Sequence, residues 1–181
     1  MYEKNNERIR ITGKILNGDW DICQENIELS TGYKSFKQRF IEGKEWEKTD
    51  YYKLFKYKVN KSNTSRGFKN WKDFKKQKLY EWDKLYEDIK ENGYREQKNI
   101  RNGKPENEIE VCISRHGKIL LLDGKHRLSI TKILDIEKIP VIVNVWHKKY
   151  IDKAKKYLDK ENLTPKEAIK PIIEEDLDEI L

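Results

Sequence analysis

One stretch constrains the architecture more than any other: Ile119-Leu120-Leu121-Leu122-Asp123-Gly124-Lys125-His126-Arg127-Leu128-Ser129-Ile130-Thr131-Lys132-Ile133-Leu134. An apolar run ends at Asp-Gly, three basic residues follow, and a helix-period pattern takes over. This order predicts a strand that enters a helix over Lys125–Leu134 through a glycine turn. Helix starts of this kind attract anions, because the first-turn N–H groups have no acceptor within the helix and the dipole is positive there.

The neighbouring segments supply a small sheet. Ile109–Ser114 and Lys118–Leu122 read as strands joined by Arg115-His116-Gly117, a β-hairpin. Ile139–Val145 reads as another strand, with Pro140 tolerable only at its start or on an edge. A weak alternation over Glu7–Leu16 suggests a first strand, turned at Gly18-Asp19, and Trp20 follows between Asp19 and Asp21. The rest is helical in pattern. A helix begins at Ser30, carries Tyr33, Phe36, Phe40 and Ile41 on one face, and meets Gly43 at its end. Lys44–Val59 reads as a short helix plus connector and Asn60–Gly67 as a loop. Asn70–Asn92 is the clearest helix, capped by Asn70 and stopped by Gly93. Lys78 interrupts its apolar stripe between Phe74 and Trp82, so a bend or break is expected there. Tyr94–Asn107 is polar and loop-like. Tyr150, Ile151, Ala154, Tyr157 and Leu158 form another helix face, and Thr164-Pro165-Lys166-Glu167 is a capping box opening a last helix that Pro171 shortens. No internal repeat is present. The expected class is α+β, a small mixed sheet flanked by helices, with an aromatic-rich, mainly helical N-terminal elaboration over 1–69, a core over 70–150 and C-terminal helices with an acidic tail over 151–181.

Charge sets the partner class. The net +7 divides unevenly: Glu161–Leu181 holds seven acids and two lysines, leaving +12 on the rest. A basic body favours polyanions, nucleic acid or nucleotide phosphates. The alternative is lysine spread over every face. Hydrophobic residues make up 36% against 39% charged, but five Trp, ten Tyr and five Phe supply enough apolar area for a core. Cys23 and Cys112 stand far apart with no metal-ligand spacing, the pattern of free thiols in a reducing compartment. No run approaches a membrane span and Met1-Tyr2-Glu3-Lys4 is no signal peptide, so a cytoplasmic protein with no membrane partner is expected.

The turn itself carries the chemistry. Gly124 lets a ligand approach the backbone, and Lys125, His126 and Arg127 oppose the helix dipole unless an anion is bound there. Arg offers a planar fork to phosphate oxygens and Lys a point charge. Asp123 caps the helix or serves as a base or metal ligand. The structural alternative makes Asp123 an ordinary N-cap and the cations surface residues. Other candidates are weaker. Arg115 and His116 read as exposed turn residues, and His147 either closes the site as an acid or base or lies on the surface. Glu108 and Glu110 share a strand face, most often a solvent-facing one. The Trp and Tyr residues of 46–86, interleaved with lysines, resemble a single-strand nucleic-acid platform, but their helical spacing favours a core. Cys112 lies in a strand, buried and inert.

The segment Leu85–Val145 resembles the ParB/sulfiredoxin fold family. The parts that carry the resemblance are the helix ending at Asn92-Gly93, the strand pair Ile109–Leu122, the turn Asp123-Gly124-Lys125-His126-Arg127-Leu128 and Ile139-Pro140-Val141-Ile142-Val143. Together they cover about a third of the chain. The resemblance implies a phosphate-binding helix start, with Gly124, Lys125, His126, Arg127 and Ser129 as nucleotide contacts and Asp123 and His126 as catalytic candidates. Lys125 stands where sulfiredoxins place their attacking cysteine, which removes that chemistry. Partition-type ParB proteins carry Gly-Glu-Arg-Arg, and too few residues follow Val145 for their DNA-binding and dimerisation parts. Glu161-Asn162-Leu163 only echoes their Glu-Asn box, with Pro165 in the arginine's place. The free-serine-kinase branch, with a turn near Asp-Gly-His-Thr-Arg, matches at Asp123, Gly124 and Arg127. As an enzyme of this kind, the chain would transfer or hydrolyse a phosphoryl group of ATP or ADP, or of CTP, with Mg²⁺ carried in on the nucleotide. The alternatives are a ParB-like DNA-binding or regulatory module without kinase chemistry, and a nuclease.

Overall fold

A computed structural model describes residues 13–22, 26–100, 103–104 and 107–161, with the backbone alone for 157–161. The chain is of the α+β class and divides into two units. The first holds the described parts of Met1–Gln24, Ile109–Asp123 and Val141–Leu181; the second holds those of Glu25–Glu108 and Gly124–Pro140. The expected segments 1–69, 70–150 and 151–181 do not coincide with these units. The N-terminal helices group with the helix ending at Asn92 and with the helix after Gly124, whereas the strands are gathered from three separate parts of the sequence.

The β-branched run Val141-Ile142-Val143 opens the central strand of the first unit, β4 (Val141–His147). It pairs in parallel with β1 (Lys14–Leu16) on one side and with β2 (Ile109–Ile113) on the other. β3 (Ile119–Asp123) is the antiparallel partner of β2, giving the order β1-β4-β2-β3. The expected hairpin is present. Its turn closes with the Ser114 N–H on Lys118 and Gly117 at φ 92°, a conformation glycine adopts at little cost. β4 begins two residues later than expected because Pro140 has no N–H to give a ladder, so the strand runs on to His147. Of the first expected strand only Lys14–Leu16 is formed; Glu7–Thr12 lie outside the described residues. Ile109, Val111, Ile113 and Leu120 are buried, and α6 (Lys148–Glu161) brings in buried Tyr150 and Ala154. Burial raises the Cys112 thiol above its ordinary range. Cys23, the Thr164 capping box and the acidic tail lie outside the described residues.

The second unit is a helical cluster around an aromatic core. Ser30 caps α1 (Thr31–Phe40), its hydroxyl accepting the Tyr33 N–H at 3.2 Å. The chain then reverses at Gly43 (φ 66°), where the Lys44 N–H returns to the Gln38 carbonyl at 3.0 Å. α2 (Asp50–Ser62) runs through Asn60, which the sequence places in a loop, and stops at Asn63, whose φ of 57° is tolerated by asparagine. The long helix is built in three parts: α3 (Trp71–Phe74), a π-helical turn over Lys75–Leu79, and α4 (Tyr80–Asn92). This is the expected interruption at Lys78. The Tyr80 N–H reaches the Lys75 carbonyl, so the turn holds one residue more than an α-helix. The extra residue carries Leu79 inward after Phe74 and turns Lys78 out to Glu81 at 2.8 Å. Trp82, Tyr86 and Ile89 then continue the buried stripe.

Phe36, Trp46, Tyr51, Phe55, Phe74 and Trp82 meet edge-on, tilted and stacked at ring separations of 4.9–5.9 Å. Polar tips are satisfied locally: Trp46 Nε1 donates to Asp83 at 3.0 Å and Trp71 Nε1 to Glu47 at 3.0 Å. Asp83 also takes Arg39 at 3.2 Å, which ties α1 to α4. These six aromatics are core, whereas Tyr57 and Tyr80 of the same stretch are exposed. α5 (Lys125–Ile133) adds Ile130, fully buried in the same cluster. No helix among the described residues is long and apolar enough to cross a membrane.

Candidate functional site

The helix start at Gly124 is built as the sequence predicts. Gly124 is the N-cap of α5, in the left-handed region at φ 92° and ψ 18°, and the Leu128 N–H bonds its carbonyl at 3.0 Å. A glycine N-cap supplies no side-chain oxygen to the first turn, so Asp123 is the last residue of β3 and not the cap. The first turn of α5 contains no acid. Its basic residues are Lys125, His126 and Arg127, and successive helical residues leave in directions about 100° apart.

The three therefore meet different surroundings. His126 packs its ring against Trp82 at 4.4 Å and Phe36 at 5.7 Å, which seats the start of α5 on the aromatic core. Lys125 has no ion pair among the described residues. Arg127 donates from Nη1 to the Asn107 carbonyl and from Nη2 to Gln97 Oε1 at 3.0 Å. Its Nε is buried and has no acceptor among the described residues. Ser129 is buried, and its hydroxyl donates to the Lys125 carbonyl at 2.7 Å, along its own helix.

Behind Arg127 stands a polar network built on Glu108, which is buried and precedes β2 and so does not share a solvent-facing strand face with Glu110. Glu108 is 8% exposed; one carboxylate oxygen accepts the Gln97 N–H at 2.9 Å and the other accepts the Tyr94 hydroxyl. Burial, and then the bond to Glu108, push the Tyr94 hydroxyl well above its usual range. Gln97 opens a short 3₁₀ turn (Gln97–Asn99) and is itself buried. The segment Tyr94–Asn107 has no periodicity, and Gln97 meets Arg127 across thirty residues of sequence. Only the tertiary fold joins them.

The electrostatic consequence follows from the acceptors. Both partners of Arg127 are neutral carbonyls, and no carboxylate pairs with it among the described residues. The guanidinium is thus oriented without being neutralised. Positive charge on Lys125 and Arg127 faces the positive end of the α5 dipole, an arrangement worth a few tenths of a kcal/mol to about 1 kcal/mol against folding per charge. An oxyanion at this helix start would relieve it, accepting from first-turn N–H groups and from the arginine fork.

A second cluster lies in the first unit, and it collects sequence features that stand apart in the chain. Arg115, in the hairpin turn, donates from its N–H to Asp21 at 2.7 Å and from its guanidinium to Asp21 and Asp19 at 2.6–3.0 Å, and to the Gly18 carbonyl at 3.0 Å. Asp21 is almost fully buried, and Arg115 holds its carboxyl well below the usual carboxylate range. His147 is fully buried, not a surface residue. Its Nδ1 accepts the Lys149 N–H at 3.1 Å, so Nε2 carries the hydrogen and donates to the Gly18 carbonyl at 2.9 Å. Trp20 lies beside it at 5.5 Å. Here the cation is met by two carboxylates, so the cluster is a clamp on residues 18–21 and leaves no charge for an anion. His116 is exposed in the turn, and Glu110 binds Asn144 at 2.6 Å.

Compared with known proteins, the chain matches no family model, no curated protein and no solved structure.

Proposed function

We propose that this chain binds the phosphate group of a nucleotide or related compound at the start of α5, with Gly124, Lys125 and Arg127 as the principal contacts. One observation carries the proposal: Arg127 is held in place by two neutral acceptors and keeps its charge, at a helix start whose first turn contains no acid. A guanidinium with no carboxylate partner close to the positive end of a helix dipole is unfavourable until an oxyanion binds there. The left-handed Gly124 keeps the cap free of a side chain. His126 contributes by seating the helix on Trp82 and Phe36, and Ser129 by closing its own helical turn.

The ParB/sulfiredoxin resemblance supports the same site and extends it to ATP, ADP or CTP. On that extension the chemistry is phosphoryl transfer or nucleotide hydrolysis. Among the described residues no group of three or more His, Cys, Asp or Glu is placed to hold a metal. Mg²⁺ would enter on the nucleotide phosphates, where it neutralises their charge.

The test is a thermal-shift series with ATP, ADP, CTP and inorganic phosphate, each with and without Mg²⁺. A ligand at a hundred times its Kd stabilises by about 2.7 kcal/mol. For a chain of this size that raises Tm by roughly 5–10 °C. Arg127→Ala should cut the shift by more than half. No shift with any of the four, or an equal shift in Arg127→Ala, refutes the proposal. Tight, steeply salt-dependent DNA binding without a nucleotide shift would replace it with a DNA-binding module.

A further inference from the structure

An arginine on a helix start samples many rotamers, and binding an oxyanion must then overcome the cost of fixing one of them. Arg127 does not start from that condition. Gln97 Oε1 fixes its Nη2 at 3.0 Å, and the Asn107 carbonyl takes Nη1. Gln97 is in turn fixed through its backbone N–H by buried Glu108 at 2.9 Å, whose other oxygen is occupied by Tyr94. The two Nη nitrogens are anchored to protein, and buried Nε has no acceptor among the described residues. Each Nη carries a second hydrogen, so the anchored guanidinium keeps donors for an oxyanion.

We propose that Gln97 is a positioning residue for oxyanion binding: it fixes the Arg127 guanidinium beside the start of α5, and it does so as an amide because a carboxylate there would cancel the charge. The inference rests on the phosphate-binding proposal above. Gln97 touches no phosphate itself and acts only through Arg127. Its neutrality is the specific element, since glutamate would offer the same reach and the same acceptor atom.

The test is a double-mutant cycle read by calorimetric Kd for ADP and inorganic phosphate, in full-length variants that show a cooperative melt. Gln97→Leu should weaken binding about tenfold, the worth of one hydrogen bond to a charged group. In the Arg127→Ala background the same change should have no further effect, because the group it positions is gone. Gln97→Glu, which keeps length and acceptor, should lose as much affinity as Arg127→Ala by pairing the guanidinium. Losses that add in the double variant, or a Gln97→Glu protein that binds as the parent does, overturn the role of Gln97 while leaving phosphate binding intact. A parent protein that binds neither probe overturns both proposals.

Discussion

Replacing Gly124 by alanine isolates the conformational requirement of the helix start. Gly124 sits at φ 92° and ψ 18°. A Cβ in the left-handed region costs roughly 1–2 kcal/mol. Alanine also stiffens the unfolded chain, which returns about 0.4–1 kcal/mol. The net expectation is a loss of about 1 kcal/mol, or about 2–4 °C in Tm for a chain of this length. Gly124→Asn should lose less, because asparagine enters this region more readily. Gly32→Ala provides the opposite sign. Gly32 is the second residue of α1, has no positive φ, and an added Cβ would meet nothing nearer than Ser30 Oγ at 4.0 Å. That change should stabilise by about 0.5–1 kcal/mol. Thermal melts of the three variants by circular dichroism, without ligand and in one buffer, measure the set. A Gly124→Ala protein melting at or above the parent temperature would refute the requirement for a left-handed cap.

Two further outcomes test the packing and the clamp. Leu79→Ala should cost about 2–5 kcal/mol, because the side chain is fully buried where the π-helical turn delivers it, and denaturant unfolding will read the loss. Asp21 titrates below its ordinary 3.8 when folded, so the unfolded chain takes up its proton first as the solution is acidified. Its contribution is complete above about pH 4 and is lost as pH falls below that value; Asp21→Asn should therefore melt less differently between pH 6 and pH 3 than the parent, and an equal pH dependence would contradict the assignment.

The interruption of the long helix shows how the sequence and the fold divide the work. The stripe Phe74, Trp82, Ile89 and the misplaced Lys78 already require a defect between Phe74 and Trp82. That the defect is a π-helical turn, and that Leu79 becomes the buried residue, depends on what the stripe packs against. Locally encoded features were legible for the same reason: the Ser30 and Asn70 caps, the hairpin at Gly117 and the glycine start of α5 each depend on residues a few positions apart.

The chemistry of the site divides along the same line. The sequence by itself determined a strand, a glycine turn and a helix start crowded with cations, because backbone conformation and helix capping are local. Only the tertiary structure decided which cation does what. It packed His126 against Trp82 and Phe36, left Lys125 without an ion pair among the described residues, and held Arg127 with Gln97 and Asn107. It also gathered Asp19, Asp21, Arg115 and His147 into a clamp, four residues whose pairing spans more than ninety positions. Side-chain partners at such separations leave no periodicity in the sequence, and the charge that remains for a ligand is whatever those partners do not cancel.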